Sequence, residues 1–440
     1  MSTTTDPRAD FLQAATWHGT LDRAEDLLRA HPELASGDLH TAAVLGDDAA
    51  VRRFLERDPA SATLKSGPYG GDPLVYLCLS KYLRFDRARS EAFLRAATAL
   101  LDAGADPNTG FWNKGEFETA LYGAAGVAHH AEMTRLLLER GADPNDGEVP
   151  YHSPETDDNA ALAVLVESGK LSADSLATML LRKADWHDAE GLEYLLRHGA
   201  DPNRMTPWRY TALHQALRRD NDLGSVELLL DHGADPALPN GRDGRSAIAI
   251  AARRGRGDAL ALFERRGAPM AMAGVERLIA ACARNDGEEV RAVAEREPGL
   301  VRELVAEGGT LLAEFAGTAN ADGVRRLLDL GVPVTARYGG DGYFDIAENS
   351  TALHVAAWKA WLEVVRLLLA RGAPVDLPDG KGRTPLMLAV KACVDSYWAY
   401  RRSPESVKAL LEAGASAKGV VYPSGYVEVD ELLRRHGAAP

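Results

Sequence analysis

The chain has 440 residues, 46% of them hydrophobic and 26% charged, and carries a formal charge of −14. That composition excludes a disordered chain and leaves room for several domains or one very large one. The acidic balance, with a pI near 5.4, argues against general affinity for nucleic acid or membrane surfaces, although a local basic patch can still hold an anion.

The opening residues "MSTTTDPRADFLQ" lack a basic segment followed by an apolar one, and no later run reaches eighteen apolar residues. Secretion and membrane spanning are therefore not expected. The three cysteines, Cys78, Cys282 and Cys393, are far apart and form no CxxC pair. A reducing cytoplasm is the expected compartment, with no metal and no cofactor.

One phrase returns along the chain: "LLDAGADPN" from Leu100, "LLERGADPN" from Leu137, "LLRHGADPN" from Leu195 and "LLDHGADP" from Leu229, with weaker copies at 368–374, 410–416 and 432–438. A second phrase precedes many copies: "TALYGAA" from Thr119, "TALHQAL" from Thr211, "TALHVAA" from Thr351 and "TPLMLAV" from Thr384. Threonine suits a helix N-cap and proline the first helical turn. Small residue pairs let neighbouring helices approach, and glycine ends the second helix before Asp-Pro-Asn turns the chain outward.

Together the phrases resemble the ankyrin repeat, whose period is about 33 residues. The resemblance covers essentially the whole chain and implies an all-α solenoid of about twelve helix-turn-helix repeats with short hairpin fingers and little β-structure. Units are expected near Phe11, Leu39, Leu74, Thr119, Val149, Leu176, Thr211, Ser246, Leu278, Thr310, Thr351 and Thr384, with a half-unit after Gly425. Proline turns replace the Gly-Ala-Asp turn in the first two units and again at 292–300, and insertions interrupt the third and twelfth units. The return of the proline turn suggests an N-terminal array over 1–271 and a second over 272–440, continuous with the first.

The stretch "GEVPYHSPE" at 147–155 is abnormal. Aligning Val149-Pro150-Tyr151-His152 with Thr-Pro-Leu-His places His152 beside His214 and His354, where the resemblance implies a scaffolding histidine bonded to backbone. Pro154 fits an ordinary helix poorly there. Glu148, Tyr151 and Glu155 replace small or apolar residues, so a polar pocket is the competing expectation, with Trp112, Trp186 and His187 around it.

The resemblance further implies that partners meet the concave face and the fingers. The two positions after the paired small residues are mostly apolar in the first half. In the second half they include Arg218, Arg219, Arg253, Arg254, Arg284, Lys359 and Lys391, together with Trp358, and no acid. These bases could focus an acidic partner segment. The last turn of a helix also favours them by roughly 0.3–1 kcal/mol each without any partner. The expected fingers carry Tyr69, Phe111, Trp112, Trp208, Tyr210, Tyr338, Tyr343 and Phe344, residue types that dominate binding hot spots or pack on the next finger.

Other fragments carry less. The Arg-Gly-Asp at 256–258 falls at an inter-helix turn, "NST" at 349–351 is a sequon in the wrong compartment, and the pair His129-His130 lies at a turn. Phosphate-loop, zinc-helix and nucleophile-elbow motifs are missing from the sequence. The leading expectation is thus a non-enzymatic scaffold that grips a protein partner. The alternative is a binder of a small anionic or aromatic ligand, or an enzyme, with its pocket at the fifth unit.

Overall fold

The computed structural model describes residues 6–397 and 399–438. Residues 1–5, read above for a leader pattern, and Trp398, in the second insertion, lie outside it. Contacts divide the chain into two compact units, the first ending at Ala234 and the second beginning at Asp235.

Both units are stacks of antiparallel helical pairs. In the first the leading helices are Pro7–Ala15, Leu39–Leu45, Pro73–Cys78, Ala120–Tyr122 (continued by a wider turn over Gly123–Val127), Glu148–His152, Ala173–Asp185 and Ala212–Arg218. In the second they are Ala247–Arg253, Gly274–Ala283, Gly308–Gly317, Ala352–Trp358 and Pro385–Val394, and a terminal helix spans Val427–Arg435. Among the described residues each leading helix but the last is followed by its mate, giving the twelve pairs that the repeated phrases predict, plus the half-unit.

The local causes follow the phrase residue by residue. The hydroxyls of Thr119 and Thr384 accept from the amides of Tyr122 and Met387 at 3.0 and 3.3 Å, capping helices whose first amides have no intrahelical partner. Gly199 closes the helix Ala189–Arg197 with φ of 90°, a conformation that costs glycine little. Leu192 and Leu195 are fully buried beneath it. Burial of such a side chain stabilises by about 1.5–3 kcal/mol, so each pair gains most of its stability from its neighbours rather than alone.

The proline turns form short 3₁₀ helices over Pro32–Ser36 and Pro59–Thr63, whereas the later one opens a full helix, Pro298–Ala306. The first insertion forms the helix Lys81–Phe85, where the buried Lys81 ammonium donates to the carbonyls of Ala14 and Thr20 at 2.7 and 3.2 Å.

Among the described residues one finger is a true hairpin. Strands β1 (Gly110–Asn113) and β2 (Glu116–Thr119) pair antiparallel, with Phe111 opposite Glu118 and Trp112 opposite Phe117. Its turn residues Lys114 and Gly115 both have positive φ, 51° and 100°, which matches the strand twist. Other fingers carry isolated bridges, such as Ser66 with Gly71 in one and both Tyr338 with Ser350 and Asp341 with Ile346 in another.

Candidate functional site

The first helix of the fifth unit begins at Glu148, two residues before the phrase alignment starts it. Gly147, not Val149, is the N-cap residue, and the preceding Asp146 supplies the capping side chain: its Oδ1 accepts from Val149 N at 2.8 Å, and its Oδ2 accepts from Thr119 Oγ1 at 2.6 Å. His152 therefore sits two residues deeper than expected and does not share the role of its supposed equivalents. His214 and His354 receive the amides of Thr211 and Thr351 on Nδ1, at 3.2 and 3.1 Å. His152 instead lies between two carboxylates, with Nε2 3.2 Å from Glu148 and Nδ1 3.0 Å from Glu155. The helix ends at His152, so Pro154 falls outside it and breaks nothing.

Arg182, from the helix Ala173–Asp185, ties this cluster together. It contacts Glu155, donates to Tyr151 O at 3.2 Å and to Asp185 Oδ2 at 2.6 Å, and lays its guanidinium 4.0 Å from the Tyr151 ring centre. Asp185 in turn accepts from Arg219 Nε at 2.7 Å and from Gln215 Nε2 at 2.5 Å. The result is an alternating row, Glu155, Arg182, Asp185, Arg219. Burial pushes the Glu155 carboxyl up, but the hydrogen bonds and charges of His152 and Arg182 more than reverse this and hold it below its ordinary range. Glu148 moves the other way: burial raises it more than His152 lowers it.

Aromatic rings continue from this cluster in both directions. Trp208, 41% exposed, tilts against Tyr151 at 5.4 Å. On the other side the His152 ring meets Tyr122 at 5.2 Å, Tyr122 meets Trp17 at 6.4 Å, and Trp17 meets Phe111 edge-on at 5.5 Å. Tyr69 stacks on Phe111 at 5.1 Å. Five repeats and the finger of a sixth thus contribute to one row of rings. Tyr210 is buried beside it, with Arg218 4.2 Å over its ring.

The remaining expected pocket residues are placed differently. Trp112 lies on the opposite face of the hairpin from Phe111, packs on Phe117 at 5.2 Å and is 73% exposed. Trp186 caps the C-terminus of Ala173–Asp185 and is exposed, and His187 follows it with φ of 54°. Trp17, Glu118, Tyr122, Arg182 and Asp185 join the surface without having been singled out as site residues. Trp17 and Arg182 stand at the paired positions that the resemblance assigns to partner contact, and the alternation of Phe111 and Glu118 around Lys114-Gly115 is the legible hairpin signal.

In the second unit three of the expected bases, Arg253, Arg254 and Lys391, face acids of the same chain. Arg253 lies 2.6 Å from Glu276 and 2.7 Å from Glu307, and Arg254 lies 2.9 Å from Glu314. Lys391 reaches Asp345 at 3.0 Å and the Trp358 ring at 5.1 Å. Lys359 sits 3.7 Å over Phe344, whose carbonyl accepts from Trp358 Nε1 at 2.6 Å. Arg284 is half-buried as the C-cap of Gly274–Ala283. Tyr338 and Phe344 are buried in the core of this finger, whereas Tyr343 is 42% exposed.

A stack of capped helical pairs with projecting fingers defines a repeat protein. The family described as "Ankyrin repeats (3 copies)" matches residues 178–270 and 333–419, and the single "Ankyrin repeat" matches 117–147. The chain is an ankyrin-repeat protein, and ankyrin repeats generally mediate protein–protein interaction. Over 84 residues it is 38% identical to Serine/threonine-protein kinase 12 of Arabidopsis thaliana, covering 19% of this chain and 17% of that protein. The chain spans less than a fifth of the length of the curated relatives it matches. Similar solved structures include the human ASB11 ankyrin repeat domain (18% identity, TM-score 0.27, 59% of this chain and 98% of that one). The ankyrin repeat domain of Bcl-3 is another (23% identity, TM-score 0.24, 53% and 97%). Among the described residues no helix is long and apolar enough to cross a membrane, and the three cysteines are buried free thiols.

Proposed function

We propose that the protein is a binding scaffold that grips a protein partner through the ring row of its first unit and through the exposed finger residues beside it. The observation that carries this reading is the exposure of Trp208 and Trp112, 41% and 73%, on elements otherwise held by capping and packing. Large rings left in water on a rigid frame are the residues a partner buries with most gain. The buried free thiols support a cytoplasmic setting.

An acidic partner segment draws less support. Arg219, Arg253, Arg254 and Lys391 already face carboxylates of this chain, and a base so paired attracts a second acid only weakly. The small-ligand or enzymatic reading is also weaker. Both nitrogens of His152 are occupied by carboxylates, which leaves no ring nitrogen aimed at a substrate.

The test is quantitative capture from lysate on immobilised protein, comparing wild type with Trp112→Ala/Trp208→Ala. A partner retained by the first and released by the second is the expected result. Identical retained proteins on both columns would remove the ring row from the binding surface.

A further inference from the structure

We infer that the outer face of the helix Pro385–Val394 is a slot for one amphipathic helix of a partner protein, which takes the place of the leading helix that the half-unit lacks. The slot belongs to the second unit and stands apart from the ring row of the first.

The argument starts from spacing. Gly199, Gly233 and Gly267 each close a second helix, with φ of 90°, 89° and 78°, and follow one another at intervals of 34 residues. Gly414 and Gly437 close theirs in the same way, at 92° and 88°, but stand 23 residues apart. The eleven residues lost match a leading helix, seven residues in Ala352–Trp358 and ten in Pro385–Val394, together with its turn. Among the described residues no helix stands between Glu412 and Val427. The helix Val427–Arg435 nevertheless keeps the place of a second helix: like Leu362–Ala370 it packs on Glu405–Glu412, and it buries Val429 and Leu433. The half-unit is a mate without its leading helix.

The consequence shows on Pro385–Val394. In the unit before it, Thr351, His354 and Trp358 are 3%, 0% and 6% exposed, and Pro385–Val394 packs on the helix that carries them. The aligned Thr384, Met387 and Lys391 are only half-buried. Beside them lies a cleft of about 430 Å³, walled by Met387, Leu388, Val390 and Val394 of the helix and by Gly419 and Val421 of the finger. Solvent reaches it, since Val421 is 73% exposed and the Lys391 side chain 40%. The finger wall is held in place: Ser424, also at the cleft, donates its amide and its hydroxyl to Asp430 Oδ1, both at 2.6 Å. A terminal repeat needs a polar outer face to stay soluble, whereas this one turns methionine and valine outward.

Shape and charge select the occupant. Met387, Lys391 and Val394 recur with helical period, and the absent element is a helix, so the complement is a helix with apolar residues at i, i+3 or i+4, and i+7. Lys381, Arg383 and Lys391 crowd on Asp345 at 2.6, 2.9 and 3.0 Å, and Arg383 also meets Asp379 at 2.8 Å, which sets three bases against two carboxylates. At the other end Asp395 is exposed and lines the cleft. The occupant therefore carries an acid near Arg383 and a base near Asp395. These charges orient the helix, while the apolar stripe supplies most of the affinity.

The test uses a displayed library of fifteen-residue peptides on an alanine-rich helical frame, since short helices need that help in water, selected on the full chain. Enriched peptides should carry the apolar stripe with a base at one end. Val421→Asp changes an exposed side chain and should melt as wild type does while binding those peptides about tenfold or more weakly. On Asp395→Lys, a peptide whose base is replaced by glutamate should regain the binding that it loses on wild type. A chain with a second copy of residues 351–361 inserted between Tyr426 and Val427 restores the 34-residue interval, and the inserted helix should fill the slot and abolish peptide binding. A library that yields no striped peptide, affinity unchanged by Val421→Asp, or full binding to the insertion chain overturns the slot. None of these outcomes touches the first unit, where the capture with Trp112→Ala/Trp208→Ala decides separately.

Discussion

Lys183 Nζ lies 2.6 Å from Asp188 Oδ2, with the two side chains 0% and 7% exposed. The ammonium also donates to Thr156 O at 2.7 Å, and Asp188 accepts from Gly191 N at 2.8 Å and from Asn159 Nδ2 at 2.9 Å. One buried pair thus ties the loop that follows the helix Glu148–His152 to the helix start at Ala189. It holds the frame on which Tyr151 and Glu155 are presented.

Removing one partner strands the other. Asp188→Ala should destabilise the first unit by about 3–5 kcal/mol, since it leaves a buried ammonium unpaired and uncaps the helix. The double change Lys183→Met with Asp188→Asn should recover most of that loss, because neither charge then needs compensation. Denaturant unfolding, with hydrogen exchange at the Gly191 amide as the local probe, reads both. Equal loss in the single and double variants would show that shape, not charge, dominates there.

His354 predicts a pH dependence in the second unit. It is fully buried, and burial pushes its imidazole down to about 4. Unfolded, the group titrates near 6.5. The folded state therefore prefers the neutral ring: its contribution is complete above about pH 6.5 and is lost progressively as pH falls to about 4, amounting to about 3 kcal/mol in all. His129, also pushed to about 4 by burial, gives the first unit a slope of its own in the same direction. The informative quantity is the difference between wild type and His354→Gln in unfolding free energy from pH 8 to 4.5. A difference that does not change with pH would contradict the assignment.

Trp208 and Arg182 touch the same tyrosine but should respond oppositely. Trp208 lies at the surface, so Trp208→Ala should cost under about 1 kcal/mol of stability while weakening partner retention. Arg182 joins Glu155, Tyr151 and Asp185, and its side chain is 13% exposed. Arg182→Met leaves Glu155 with only His152 and the buried Asp185 with only Arg219 as a base, and should cost about 1–3 kcal/mol. Thermal melts set beside retention assays separate the two classes, and a Trp208→Ala that melts as low as Arg182→Met would make that ring part of the core.

The stacking of helical pairs was legible because each repeat spells its own caps and closures: Thr119, Thr211, Thr351 and Thr384 all cap where the phrase places them. The surface was less legible, for two physical reasons. Charge pairing is set by side chains dozens of residues apart, so the expected stripe could not reveal that Arg253 meets Glu307 or that Arg219 meets Asp185. Ring contacts are likewise non-local, and Trp17 reaches Phe111 and Tyr122 only after the repeats have stacked. At the fifth unit a local rule misled. Proline at position 150 resembles the second letter of the phrase, but proline is tolerated anywhere in a helix's first turn, and the cap lies upstream.

That cap yields the remaining prediction. Asp146 is half-buried, and burial raises its carboxyl, while the Thr119 hydroxyl and the Val149 amide lower it by less. A raised acid favours the protonated form in the folded state, so its charge opposes folding at neutral pH and this penalty fades as pH falls through the folded value. Asparagine can keep both contacts: its carbonyl accepts from Val149 N, and its amide donates to Thr119 Oγ1 in place of the present bond. Asp146→Asn should therefore be as stable as wild type at pH 7, or slightly more so. Asp146→Ala should lose about 1–2 kcal/mol together with the entry angle of the helix carrying Tyr151 and His152. If Val149 were the cap instead, Asp146→Ala would be silent and the amide of Val149 would exchange at the wild-type rate, which hydrogen exchange at that one position can decide.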